Sequence, residues 1–115
     1  MNYYSNDITH VRGDTFANTI DIEGLGQAPD SIVFTCKDSL NDNGNVLFSK
    51  SIGSGITLIK EDTNEDFRKY ALRIAPEDTE NLQSGTFYYD LRVSANSDTF
   101  TIMKGKFIII QECAS

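Results

Sequence analysis

From Phe16 onward, apolar and polar residues alternate along the chain with a period of two. Phe16, Ile20 and Ile22 share one parity, and Thr15, Thr19 and Asp21 occupy the other. The pattern returns at Ile32, Phe34 and Cys36, and again at Tyr70, Leu72 and Ile74. It is clearest at Phe87, Tyr89, Leu91 and Val93, where the opposite parity carries Asp90 and Arg92. Successive side chains of a strand point to opposite faces, so this alternation predicts half-buried antiparallel strands. Further strands are predicted over 46–51, 55–60, 98–103 and 105–111. In the last of these, Phe107 and Ile109 lie on one parity and Ile108 and Ile110 on the other, which predicts cover on both faces.

Turn residues separate these segments: Gly24, Gly26 and Pro29, then Asn41 to Gly44, Gly53 to Gly55, and Asn96-Ser97-Asp98. Asn43-Gly44 is the sharpest hairpin signal, because both residues tolerate positive φ. Seven to eight short strands, with turns every ten residues or so and no long helical period, predict an all-β antiparallel β-sandwich. No internal repeat or linker interrupts it. Residues 1–115 read as one domain, with 1–10 as a flexible or edge-strand arm and 111–115 as a tail. The predicted core is Phe16, Ile20, Phe34, Leu72, Ile74, Tyr89, Leu91 and Phe107.

Composition narrows the function classes. At 115 residues and 12.8 kDa the chain can bury one core without staples. Ten Lys and Arg oppose seventeen Asp and Glu, a formal charge of −7. Arg12, Lys37, Lys60, Arg68, Arg92 and Lys106 are scattered along the sequence, so no basic patch, and hence no nucleic-acid partner, is expected. No basic amphipathic helix or long apolar run suggests a membrane partner. The opening MNYYSNDITHVRGD has no basic segment leading into an apolar run, so secretion through a signal peptide is not expected. Free thiols are favoured for Cys36 and Cys113, with a bridge across the sandwich as the alternative.

The densest candidate chemistry is the stretch APEDTENLQSGTFYYD, residues 75–90. Pro76 fits the first position of a short helix, and Glu77 and Asp78 then meet the positive end of its dipole. Leu82 serves as an apolar anchor and Gly85 lets the chain leave the turn. This reading places one helical turn near 76–82. The competing reading is a calcium site, with Glu77 and Asp78 converging on a second acidic loop that holds Glu61, Asp62, Glu65 and Asp66. None of the acidic loops matches the D-x-[DN]-x-[DN]-G spacing. Arg12-Gly13-Asp14 spells an integrin-recognition tripeptide, but directly before Thr15 and Phe16 it reads as a turn opening a strand. His10 is the only histidine, too few for zinc with two distant cysteines. No nucleophile elbow or phosphate-binding loop is present. No enzymatic activity and no cofactor are expected.

Two resemblances follow from the order of these pieces. Glu77-Asp78-Thr79 ahead of Tyr88-Tyr89 is similar to the E-D-T-x-x-Y-Y run entering strand F of immunoglobulin variable domains. The spacing here is longer and no cysteine follows, so only a tyrosine bonded back to the corner is implied. The second resemblance spans residues 11–110. Arg12-Gly13-Asp14-Thr15-Phe16 opens a strand, and Ile32 to Asp38 gives I-V-F-T-C-K-D. Pro76-Glu77-Asp78-Thr79, Leu82, Gly85 and Phe87-Tyr88-Tyr89-Asp90 follow, and then Lys104-Gly105-Lys106-Phe107. This series resembles small virion proteins of tailed phages and prophages, akin to the N-terminal module of the phage baseplate upper protein family. The resemblance implies an immunoglobulin-like β-sandwich without catalysis. It implies a structural part of the tail or baseplate, made in the bacterial host cytoplasm and assembled into the virion. It also implies oligomeric contacts with other phage structural proteins. The alternative is a carbohydrate- or calcium-binding module of the same shape, with Tyr3, Tyr4 and Tyr88 as exposed rings.

Overall fold

The computed structural model describes residues 4–40 and 44–111. Among them the chain forms β1 (Tyr4–Ser5), β2 (Ile8–Val11), β3 (Phe16–Glu23), β4 (Ser31–Lys37), β5 (Val46–Ile52), β6 (Gly55–Asp62) and β7 (Phe67–Ile74). A single helical turn, α1 (Pro76–Thr79), leads into β8 (Gly85–Ala95) and β9 (Asp98–Ile110). The strands belong to one sheet in the order β1-β9-β8-β4-β5-β6-β7-β3, and β2 also pairs with β9.

The all-β expectation holds, with two corrections. Nine strands replace seven to eight, and the sheet is mixed, not antiparallel throughout. β1 and β2 run parallel to β9, because the chain crosses from that edge to β3 on the far edge before any hairpin forms. β5 and β6 touch in parallel over two residues only, Ser51 and Ile52 against Gly55 and Ile56. A tight turn at Ser51–Ser54 turns the chain there, with the Ser54 N–H donating to the Ser51 carbonyl at 2.8 Å.

The inner parity of every strand from β3 to β9 feeds one cluster. It includes Ile20 and Ile22 of β3, Phe34 and Cys36 of β4, Ile56 of β6, Leu72 and Ile74 of β7, and Tyr89, Leu91 and Phe107. One sheet can surround one core only by curling. His10 of β2 and Phe16 of β3 show how far it curls, for their rings lie edge to face at 6.2 Å although their strands end the sheet on opposite sides. Seven of the eight predicted core residues are buried; Phe16, at that seam, is half-buried and packs against the cluster.

The two strands predicted over 98–103 and 105–111 are one. Leu91 pairs with Met103 while Arg92 pairs with Thr101, so Ile102 is an extra residue in β9. This bulge reverses the parity, taking the inward role from Phe100 to Met103, Phe107 and Ile109. The break read from the sequence was therefore a bulge within a continuous strand. The expected double cover of the last strand is also corrected: Ile108 is half-buried and Ile110 is 43% exposed. The helical turn is shorter than 76–82, ending at Thr79, although the Leu82 N–H still reaches the Thr79 carbonyl at 2.9 Å.

Asn41 to Asn43 of the predicted β4–β5 hairpin lie outside the described residues. Its neck is closed by Asp38, whose Oδ1 accepts from the Asn45 N–H at 2.8 Å. Asn96 and Ser97, both at positive φ, form the two-residue turn between β8 and β9. Cys36 is buried among the core residues, and burial pushes its thiol up to about 12. Cys113 lies outside the described residues.

Residues 4–11 lie along β9 as a paired edge. The Asn6 N–H donates to the Lys104 carbonyl at 3.1 Å, and the Lys106 N–H donates to Asp7 Oδ1 at 2.9 Å. Between them the buried Tyr89 phenol donates to the Asn6 carbonyl. The corner tyrosine expected to bond back to the turn bonds to the N-terminal arm instead. Burial, with Asp7 nearby, pushes this phenol up to about 12. Gly105 makes the crossing possible, since a Cβ there would collide with the Asn6 carbonyl oxygen and sit 2.8 Å from its carbon. Gly105→Ala is expected to lower stability by about 1–3 kcal/mol, measured by denaturant unfolding. The loss should fall first on amide-exchange protection of residues 4–11.

Candidate functional site

Three places hold the residues singled out by the sequence: the α1 corner, the acidic turn between β6 and β7, and the outer face of β4, β8 and β9.

At the corner, Pro76 occupies the first turn and Ala75 offers no polar side chain to cap it. Asp78 supplies the cap instead. Its Oδ2 accepts from the Ala75 N–H at 2.7 Å and pairs with Lys50 Nζ at 2.6 Å. Both side chains of this pair are largely buried, at 14% and 16% exposed. Glu77 and Glu80 point outward. Thr79 is fully buried, and its Oγ1 accepts from the Gly13 N–H at 2.9 Å. Arg12 Nη1 donates to the Leu82 carbonyl at 3.3 Å. Gly13, at φ +81°, makes the tight turn that places its N–H there. The R-G-D segment is thus a turn docked on the helix, with Asp14 exposed and its N–H bonded to the Val11 carbonyl.

His10 completes this corner. It is buried between the rings of Phe16 and Phe107, with Nε2 3.4 Å from Thr79 Oγ1. The hydroxyl already accepts from Gly13, so its proton is free to point at Nε2, a geometry that suits the neutral imidazole. Burial holds the His10 pKa below its usual value, although the Asp14 charge and a hydrogen bond to the Asp14 backbone oppose the shift.

The two acidic loops do not converge. Glu77 and Asp78 follow the end of β7, whereas Glu61 and Asp62 face its beginning. Eight residues of strand at about 3.4 Å each keep the two groups roughly 20 Å apart or more. Several oxygens of the β6–β7 acids also have partners. Glu61 and Asp66 pair with Arg68 at 2.8 and 3.1 Å, and Arg68 also donates to the Gln27 carbonyl at 2.9 Å. Asp62 Oδ1 accepts from the N–H groups of Asn64 and Glu65 at 3.1 and 3.2 Å, shaping the turn. Among the described residues no three His, Cys, Asp or Glu side chains gather as metal ligands.

The third place was missed by the sequence reading. Cross-strand register puts Lys37, Tyr88 and Lys106 in one row across β4, β8 and β9, and Thr35, Asp90 and Lys104 in the next. Arg92 follows beside Thr101, its Nε 3.4 Å from Asp90 Oδ2. A cleft of ≈ 650 Å³ runs over these residues and the β1–β2 link. Four of the ten Lys and Arg line it, against two carboxylates, Asp7 and Asp90. The expectation that the cations stay dispersed is therefore corrected. The alternation had already put Asp90 and Arg92 on the outward parity. Which strands stand side by side was the missing information.

Of the remaining signature residues, Gly85 opens β8 opposite Ile109, and Tyr89 fills the core against Phe34, their rings stacked at 5.2 Å. No helix among the described residues is long and apolar enough to cross a membrane.

No protein-family model matches the chain, and no curated protein matches it. Among solved structures it is similar to a family 123 glycoside hydrolase from Clostridium perfringens, with a TM-score of 0.56 and 14% identity. That match covers 96% of this chain and 24% of the hydrolase, so the chain spans about a quarter of that enzyme's length. At this identity the likeness concerns the fold alone. A voltage-gated sodium channel β subunit gives a TM-score of 0.49 at 11% identity, covering 92% of each chain. The extracellular domain of the β4 subunit gives 0.42 at 12% identity, covering 94% of this chain and 92% of that one.

Two outcomes test the corner. Thr79→Val, which keeps the shape but leaves the Gly13 N–H without its acceptor, should cost about 1–3 kcal/mol in denaturant unfolding. For His10 the folded pKa lies below the unfolded one, so the unfolded chain takes up a proton before the native chain does. Stability should fall as pH drops below about 6.5, until the native imidazole also protonates. A His10→Gln variant should lose less stability than the wild type between neutral pH and that lower limit, measured by unfolding at a series of pH values.

Proposed function

We propose that this chain is a non-enzymatic structural component of a phage or prophage particle, associated with its tail or baseplate and acting through protein–protein contacts. In this reading the curled sheet is an immunoglobulin-like sandwich. β1, β2, β9, β8, β4 and β5 form one layer and β6, β7 and β3 the other, and the two-residue β5–β6 contact is the corner between layers.

One observation supports the reading above others. The P-E-D-T-x-x-L segment, which begins the most specific run of the virion-protein resemblance, and the R-G-D-T-F opening that accompanies it dock on each other through Gly13 with Thr79 and Arg12 with Leu82. Residues separated by more than sixty positions thus serve one structural purpose. One carboxylate of the stretch is also committed to fold-building: Asp78 caps α1 and holds Lys50. The protein would be made in the host cytoplasm and carried in the virion.

A second reading, a carbohydrate-binding module, is favoured by Tyr88 in the cleft, half-buried between two lysines. The hydrolase domain of similar fold belongs to an enzyme of glycolipid glycan hydrolysis. Mass spectrometry of purified particles, induced from the strain that carries the gene, separates the two. The protein is expected at fixed stoichiometry with tail proteins. Its absence from particles, together with glycan-array binding lost on Tyr88→Ala, would replace the first reading with the second.

A further inference from the structure

We propose that the outer face of β4, β8 and β9 is a docking surface for a second copy of this chain, and that it receives the acidic turn between β6 and β7. The proposal deepens the protein–protein part of the reading above and rests on it only there.

The receiving face is concave and locally cationic in a chain of net charge −7. Tyr88 lies between Lys37 and Lys106, with Lys104 in the next row. An aromatic residue with a lysine on either side in the cross-strand row suits a carboxylate-bearing loop, offering apolar contact to its backbone and positive charge to its side chains.

The β6–β7 turn has the complementary chemistry. Glu23 and Asp62 flank Phe67 in one cross-strand row, and Glu65 is exposed on the turn itself. The turn is also held in shape before any contact forms. Asp62 accepts from two turn N–H groups, and Asp66 is fastened both to Arg68 and to the Gly26 N–H at 2.7 Å. A stiff acidic projection loses little entropy on docking.

The net charge of two like molecules does not forbid this. At about 0.1 M salt the screening length is about 10 Å, so repulsion between whole molecules is largely screened while charges in contact still attract. The two patches differ, so the contact is heterologous: each copy offers one of each, and copies join into a ring or an open chain. The contact area is small, and an affinity in about the micromolar range or weaker is expected.

Sedimentation velocity of the purified protein tests this without reference to any particle. At about 0.1 M salt the wild type should self-associate with rising concentration, and at about 1 M it should be monomeric. Lys37→Glu with Lys106→Glu should weaken association about tenfold or more, and so should Glu23→Lys with Glu65→Lys. All four positions face outward, and circular dichroism checks that both variants remain folded. Mixed together, the two variants should associate again, because each supplies the charge the other reversed. A wild type that stays monomeric at every concentration would overturn the proposal, as would association indifferent to the reversals or a mixture that fails to pair. Binding of a polyglutamate peptide to a monomeric wild type would assign the face to a foreign acidic partner instead. Failure here with the protein still present in particles would leave the virion reading standing.

Discussion

The hydroxyl of Thr79 is fully enclosed, where an unpaired polar group would cost about 1–3 kcal/mol, so its neighbours must satisfy it. The Gly13 N–H does so from one side and the His10 ring abuts it from another. That requirement joins two remote parts of the chain: the segment that leaves the arm on β9 and turns into β3, and the helical turn leaving β7. β2 and β3 lie at opposite ends of the sheet order. The strand ladder does not pair them; the four residues between Val11 and Phe16 bring them together, and the Thr79 tie fastens that link to α1. The contact reinforces the curl of the sheet at the corner where the short link of residues 12–15 joins its two ends.

The arm meets a second constraint of the same kind further along β9. Tyr89 contributes its ring to the core and needs a partner for its phenol. The Asn6 carbonyl provides it, and Gly105 leaves the room for that backbone to approach. Both ties satisfy buried polar groups, and both act on residues 4–13. The edge of β9 is thereby covered along much of its length, which also shields it from pairing with another chain.

Charge is sorted by the sheet in a way the linear order hides. Of the acids in the APEDTENLQSGTFYYD stretch, Asp78 caps α1 and holds Lys50, Asp90 pairs with Arg92, and Glu77 and Glu80 face outward. Those of the β6–β7 turn are gathered around Arg68 or left facing solvent. Four cations meet on the opposite outward face. The chain is acidic overall yet carries one cationic concavity, and that contrast is the most informative feature of its surface.

Period-two alternation in β3, β4, β7 and β8 was enough to read the strands and nearly all of the core, because burial on one face of a strand imposes that pattern on any sequence. The role of Pro76 and the acids after it was legible for a similar reason: the first turn of a helix has local needs that local residues meet. The bulge at Ile102 was not legible, since one extra residue in a strand resembles a break until its partner strand is known. The separation of the two acidic loops was hidden too, because it depends on the length and direction of β7 between them. The row Lys37–Tyr88–Lys106 and the lock between Gly13 and Thr79 had no local signal at all. Their members are far apart in the chain and meet only through strand order and register. Local composition thus determined the elements and which face of each was buried. Tertiary structure decided which surfaces those elements made together, because neighbours in space are chosen by the packing of a shared core.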